Sequence, residues 1–168
     1  APPSAMPRLL HTADWQIGRQ YGRFPQEEAA LLAEARIAAV ERIAALALAR
    51  DADAILVAGD AFDAPSVFDL TLRRLLNSTA GFPGPWILIP GNHDAALAES
   101  VWTRAQRLRC VPPNVHPIDR PGAVPFERIG IVVLAAPLTQ RQTHADVTEF
   151  FDAVETPPGL LRIGLAHG

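Results

Sequence analysis

The chain has 168 residues, 49% of them apolar and 20% charged, with a net charge of −3. A chain of this length suits one domain with a real core, since it buries roughly 70% of the surface it exposes when unfolded. The acidic balance excludes a uniformly basic coat for nucleic acid. It leaves room for a local basic groove, because the field that steers an anion is local.

All 15 basic residues are Arg, a compositional bias to which no function is attached. The lone Cys110 cannot form an internal disulfide, which fits a reducing cytoplasm. No apolar run reaches the ~18 residues a bilayer span needs. The opening residues have neither the basic flank nor the apolar stretch of a signal peptide. Met6 is the only methionine, so residues 1–5 read as a cloning remnant before a native start. The expectation is a cytoplasmic protein, off the membrane, with a single domain over 1–168.

In chain order, Arg8 to Thr12 predicts a first strand that runs out at Asp14. Residues 26–50 predict a helix, with Ile37, Val40, Ala44 and Ala47 at 3- and 4-residue steps. Ala54 to Ala58 predicts a strand ending in Gly59-Asp60. Ser66 is a good N-cap for a second helix to about Asn77, and Gly81 to Pro85 is a breaker cluster. Trp86 to Ile89 predicts a third strand, stopped by Pro90-Gly91, with a helix over 95–107 after it. Five prolines between Val111 and Pro125 allow only short, irregular strands. Residues 129–135 predict a buried strand, 144–155 a helix and 160–166 a last strand. Continuous apolar strands separated by helices imply a sheet covered on both faces, hence α/β layers.

In such sheets ligands gather beyond the carboxyl ends of the strands. Four apolar strands end in groups able to bind metal: Asp14-Trp15-Gln16 after His11, Gly59-Asp60-Ala61-Phe62-Asp63, Gly91-Asn92-His93-Asp94, and His167-Gly168. Each cluster alone has an ordinary reading, since Asp and Asn after a strand commonly make turns or helix caps. If the strands lie side by side, Asp14, Asp60, Asn92, His93 and His167 meet at one rim. Carboxylates, an amide oxygen and imidazoles together suit a divalent first-row metal or Mg²⁺.

This arrangement resembles the calcineurin-like metallophosphoesterase family, with its D-x-H, G-D-x-x-D and G-N-H-D motifs, a lone His and then G-H-x-H. Leu10-His-Thr-Ala-Asp-Trp-Gln-Ile-Gly18 and the Phe62-Asp63 pair resemble its SbcD-type DNA repair nuclease branch. Two departures stand out. Gln16 occupies the place of the first motif's His, and no G-H-x-H segment is present, so the chain reads as part of a longer protein.

The resemblance implies an α/β/β/α sandwich, incomplete at the C-terminus, holding two divalent ions. Mn²⁺ is expected first, with Mg²⁺, Fe²⁺ or Zn²⁺ as alternatives. Asp60 would bridge the ions, Asp14 and Gln16 would serve one, and Asn92 and His167 the other. His93 would act on the transition state, while Asp63, Asp94 and His11 would orient ligands. The implied partners are DNA and an SbcC-like coiled-coil ATPase reached through a C-terminal part, and a homodimer is allowed for.

Arg19, Tyr21 and Arg23 are candidates for holding DNA, the arginines on phosphate and the ring stacked on a base. The same residues equally suit a solvated loop. His116 and His144 read as surface residues. The leading reading is a metal-dependent DNA nuclease. The alternatives are a phosphomonoesterase or small-molecule phosphodiesterase, and a metal-poor binding module that the two departures would favour.

Overall fold

Three short apolar runs, Leu9–Thr12 (β1), Ala54–Ala58 (β2) and Trp86–Ile89 (β3), pair in parallel, in a computed structural model that describes residues 6–168. The expected cloning remnant lies outside the described residues. Val115–Pro117 (β4) completes a four-stranded sheet of order β1-β2-β3-β4. Parallel neighbours need crossovers, and three helices supply them: Gln26–Ala49 (α1), Asp69–Ser78 (α2) and Val101–Arg107 (α3). A second sheet, of order β5-β6-β7, is built from Gly122–Phe126 (β5), Ile131–Ala136 (β6) and Leu161–Ala166 (β7). There β5 runs antiparallel and β7 parallel to β6.

The two-residue period of the strands divides the core. Ile55, Val57, Trp86 and Leu88 turn to the helices, where they share a cluster with Val40, Ala44, Leu72, Leu75 and Trp102. Ala54, Leu56, Ala58, Ile87 and Ile89 turn the other way and meet Ile131, Val133, Ala135 and Leu165 of the second sheet. Each fully buried aliphatic side chain contributes about 1.5–3 kcal/mol, so both faces of β2 and β3 hold the layers together. The fold is the α/β layered arrangement that the resemblance implies.

Several boundaries differ from the sequence expectation. The last strand does not lie beside the first three but in the facing sheet, and it reaches the common rim from across the interlayer core. The expected helix over 144–155 is only a 3-10 turn, Glu149–Phe151. Arg162 of β7 donates to the carbonyls of Phe151 and Val154, oxygens that a continued helix would have used internally. Asp146 accepts from the backbone N–H and the hydroxyl of Thr148, a local bond that competes with a helical start.

The second helix begins at Asp69 behind Phe68, not at Ser66. The third begins at Val101, where Ser100 and Thr103 form a reciprocal capping box. Residues 95–100 are withheld from it, because Ala96 donates its N–H to Leu138 and fastens this stretch to the loop after β6. His116 is not a plain surface residue: it is half-buried, edge-on to Phe126 with ring centroids 5.4 Å apart.

Candidate metal centre

The ends of β1, β2, β3 and β7 bring their polar residues to one rim. The first two loops are laced together beyond their strands. Asp14 and Gln16 donate N–H groups to the carbonyls of Gly59 (3.2 Å) and Asp60 (2.9 Å), and Ile17 donates to Ala61 (3.0 Å). Asp63 returns its N–H to Ile17 (3.0 Å), so its structural contribution runs through the backbone. These turns are tight enough that Asp14, Gln16 and Asp60 sit at φ of 56°, 46° and 54°. That left-handed region costs a side-chain-bearing residue roughly 1–2 kcal/mol.

Asp60 is the centre. It is 1% exposed, and its carboxylate is held from the third loop. His93 donates its backbone N–H to Oδ1 (3.0 Å) and places ring Nδ1 2.6 Å from Oδ2. Gly91 lets the chains come this close, for a Cβ there would lie 2.1 Å from Asp60 Oδ1. Asp94, fully buried, accepts from the backbone N–H groups of Gly91 (2.7 Å), Asp60 (3.2 Å) and Phe62 (3.3 Å). It therefore ties the second loop to the third, and burial pushes its carboxyl up to about 6 against the pull of those donors.

His167 reaches the rim from the facing sheet, its ring packed against Gly59, where a Cβ would come within 2.5 Å. Its Nδ1 lies 2.8 Å from the carbonyl oxygen of Ala58. A carbonyl only accepts, so Nδ1 donates to it, and Nε2 is the ring nitrogen turned to the rim. Nε2 lies 3.0 Å from Asn92 Oδ1 and 3.5 Å from Asp60 Oδ1. Asp14, Asp60 and His167 also each offer a ligand atom, all within 4.8 Å of one another. Two carboxylates, an amide oxygen and an imidazole oriented by a backbone carbonyl fit a divalent ion.

The remaining candidates separate from this group. Gln16 turns its amide oxygen to Arg19, whose NH1 donates to it at 2.5 Å. Tyr21 is half-buried, its hydroxyl bonded by Nε of Arg36 and its ring under the same guanidinium at 5.8 Å. Arg23 is exposed. His11 stands exposed within β1 and makes no hydrogen bond to the carboxylates among the described residues, so nothing in the structure gives it an orienting task. Arg36 was not legible as part of the site, yet its NH1 also donates to the carbonyl of Trp15 (2.7 Å), between Asp14 and Gln16. The one hint is a lone Arg beside the buried stripe of an Ala-rich helix.

Residues 7–155 match the family model described as calcineurin-like phosphoesterase. The chain belongs to that family. Calcineurin-like phosphoesterases are metal-dependent hydrolases of phosphoesters, in keeping with the donor set at the rim. The chain is also 38% identical over 94 residues to the SbcD component of the nuclease SbcCD from Rhodobacter capsulatus. That match covers 53% of this chain and 22% of the relative's length. Among the described residues, no helix is long and apolar enough to cross a membrane.

Proposed function

We propose that this phosphoesterase cleaves phosphodiester bonds in DNA, as a nuclease of the SbcD type with two divalent ions, Mn²⁺ foremost. The observation that carries the chemistry is the convergence of Asp14, Asp60, Asn92 and His167 on one rim, with His93 seated on Asp60. The nuclease assignment rests on the likeness to the Rhodobacter SbcD protein and on the first-motif wording.

In this reading Asp14, Asp60, Asn92 and His167 would hold the ions, with Asp60 shared between them. Bound there, the ions supply Lewis acidity toward the phosphate oxygens. The Ala58 carbonyl fixes the ring of His167 so that Nε2 faces inward. His93 is held at Nδ1 by Asp60 while its side chain stays 42% exposed. Its other nitrogen can therefore meet substrate and donate a proton to the leaving oxygen. Asp94 and Asp63 keep the loops in register. By the same likeness the complete protein works in the cytoplasm with an SbcC-like coiled-coil ATPase, and a homodimer accommodates that partnership.

The test compares Asp60→Asn with His93→Ala in the complete protein, by Mn²⁺ calorimetry and by cleavage of an oligonucleotide beside a nitrophenyl phosphate panel. Asp60→Asn is expected to lose metal and turnover together. His93→Ala keeps the metal and loses roughly 10²–10⁴-fold in kcat, the usual worth of a general acid. Metal loss in both variants would make His93 a ligand. Hydrolysis confined to phosphomonoesters would remove the nuclease assignment and leave the phosphoesterase one.

A further inference from the structure

We infer that Gln16 is not a metal ligand but a bracket for Arg19, and that Arg19 is a phosphate-binding cation of the site. The inference rests on the phosphoesterase reading above and reassigns one of its positions. A guanidinium has donors and no acceptor, so it is the amide oxygen of Gln16, the atom of that side chain able to ligate a metal, that is turned to Arg19. The pairing is built into the turn. The Arg19 backbone N–H returns to the Gln16 carbonyl at 3.2 Å, Gln20 closes on the Gly18 carbonyl, and Gly18 takes a φ of 92°. Gln16 in turn is moored to Asp60 through its own N–H. The guanidinium is thus fixed to the loop that carries Asp14, while Arg19 remains exposed to an arriving ligand.

Charge supports the same assignment. The carboxylates of Asp14 and Asp60 would repel a phosphodiester in the metal-free protein. A permanently charged, planar fork on the loop that carries Asp14 supplies attraction in the geometry phosphate favours. An imidazole at position 16 that ligated a metal through its bare nitrogen would have no acceptor left for Arg19. Gln16 thus exchanges a nitrogen ligand for a positioned cation.

The experiment reads phosphate binding without metal. Anisotropy of a labelled single-stranded oligonucleotide is measured with chelator present, for the complete protein and for Arg19→Ala, Arg19→Lys, Gln16→Ala, Gln16→His and the Gln16→Ala/Arg19→Ala double variant. Mn²⁺ calorimetry runs in parallel. Arg19→Ala is expected to weaken oligonucleotide binding about tenfold and to lower the log–log salt slope by ~0.7, one phosphate contact on a single strand. Arg19→Lys keeps the slope but only part of the affinity. Gln16→Ala weakens binding when Arg19 is present and changes nothing once Arg19 is gone, the non-additivity of a coupled pair. Gln16→Ala leaves Mn²⁺ affinity unaltered, and Gln16→His raises it while weakening the oligonucleotide.

Unchanged binding in Arg19→Ala, additive effects in the double variant, or Mn²⁺ loss in Gln16→Ala would each overturn the inference. A protein that binds the oligonucleotide through Arg19 but hydrolyses no phosphoester would overturn the functional reading and leave the bracket standing.

Discussion

A methyl group added at Gly91 has nowhere to go, since it would meet the Oδ1 and the backbone nitrogen of Asp60 at 2.1 and 2.6 Å. Neither neighbour is the loose end of a flexible side chain, so the carboxylate must move. Gly91→Ala is therefore expected to fold, because no positive φ is at stake there, yet to bind Mn²⁺ at least tenfold more weakly. Calorimetry beside a circular dichroism melt checks this, and undiminished affinity in a folded Gly91→Ala would mean that Asp60 is not the centre. At this scale the sequence was most legible where a motif couples a glycine to a polar residue of the rim, as Gly91-Asn92-His93 and Gly59-Asp60 do. It was least legible for Gln16, whose contact with Arg19 depends on a turn that no periodicity encodes. The direction of His167 was equally hidden, because it depends on the carbonyl of Ala58 more than a hundred positions away.

Among elements, the parallel strands were readable because both faces of β2 and β3 are buried, which leaves continuous apolar runs. The segment 144–155 misled because its apolar spacing suits a helix while Asp146 and Arg162 draw the backbone groups elsewhere. β4 carries a consequence of its own. Burial lowers the affinity of His116 for a proton below the ordinary histidine value of 6.5. The unfolded chain then binds the proton more readily than the folded one, so this group's contribution to stability is full above 6.5 and is lost as pH falls below it. His116→Leu is expected to flatten that acid limb, measured as Tm at pH 7.5 against pH 5.5. An equal loss in both proteins would assign the acid sensitivity to other groups. The capping box of α3 supports a second measurement: Ser100→Ala should cost about 1 kcal/mol in urea unfolding.

For the whole molecule, the site is a joint between layers. Asp14, Asp60 and Asn92 follow strands of the first sheet, and His167 follows a strand of the second. A divalent ion bound on the proposed reading would tie the sheets together at the rim, where the apolar interlayer core ends. Mn²⁺ at a hundred times its dissociation constant should add about 2.7 kcal/mol to folding stability. Scanning calorimetry should show Tm rising with Mn²⁺ in the unaltered protein and staying flat in Asp60→Asn. A rise of equal size in Asp60→Asn would place the stabilising ion elsewhere.

The same layering sets a timetable during synthesis. Leu56, Ala58, Ile87 and Ile89 lack their buried partners from the second sheet until Ile131, Val133 and Leu165 have been made. At about 5–20 residues per second, the stretch from Ile89 to Leu165 takes roughly 4–15 seconds to leave the ribosome. Throughout that interval the nascent chain displays an oily, strand-shaped surface with an open edge at β1, the kind of surface that other unfinished copies can pair with. The growing protein is then a client for chaperones that bind extended apolar segments, and slower elongation would lengthen its dependence on them.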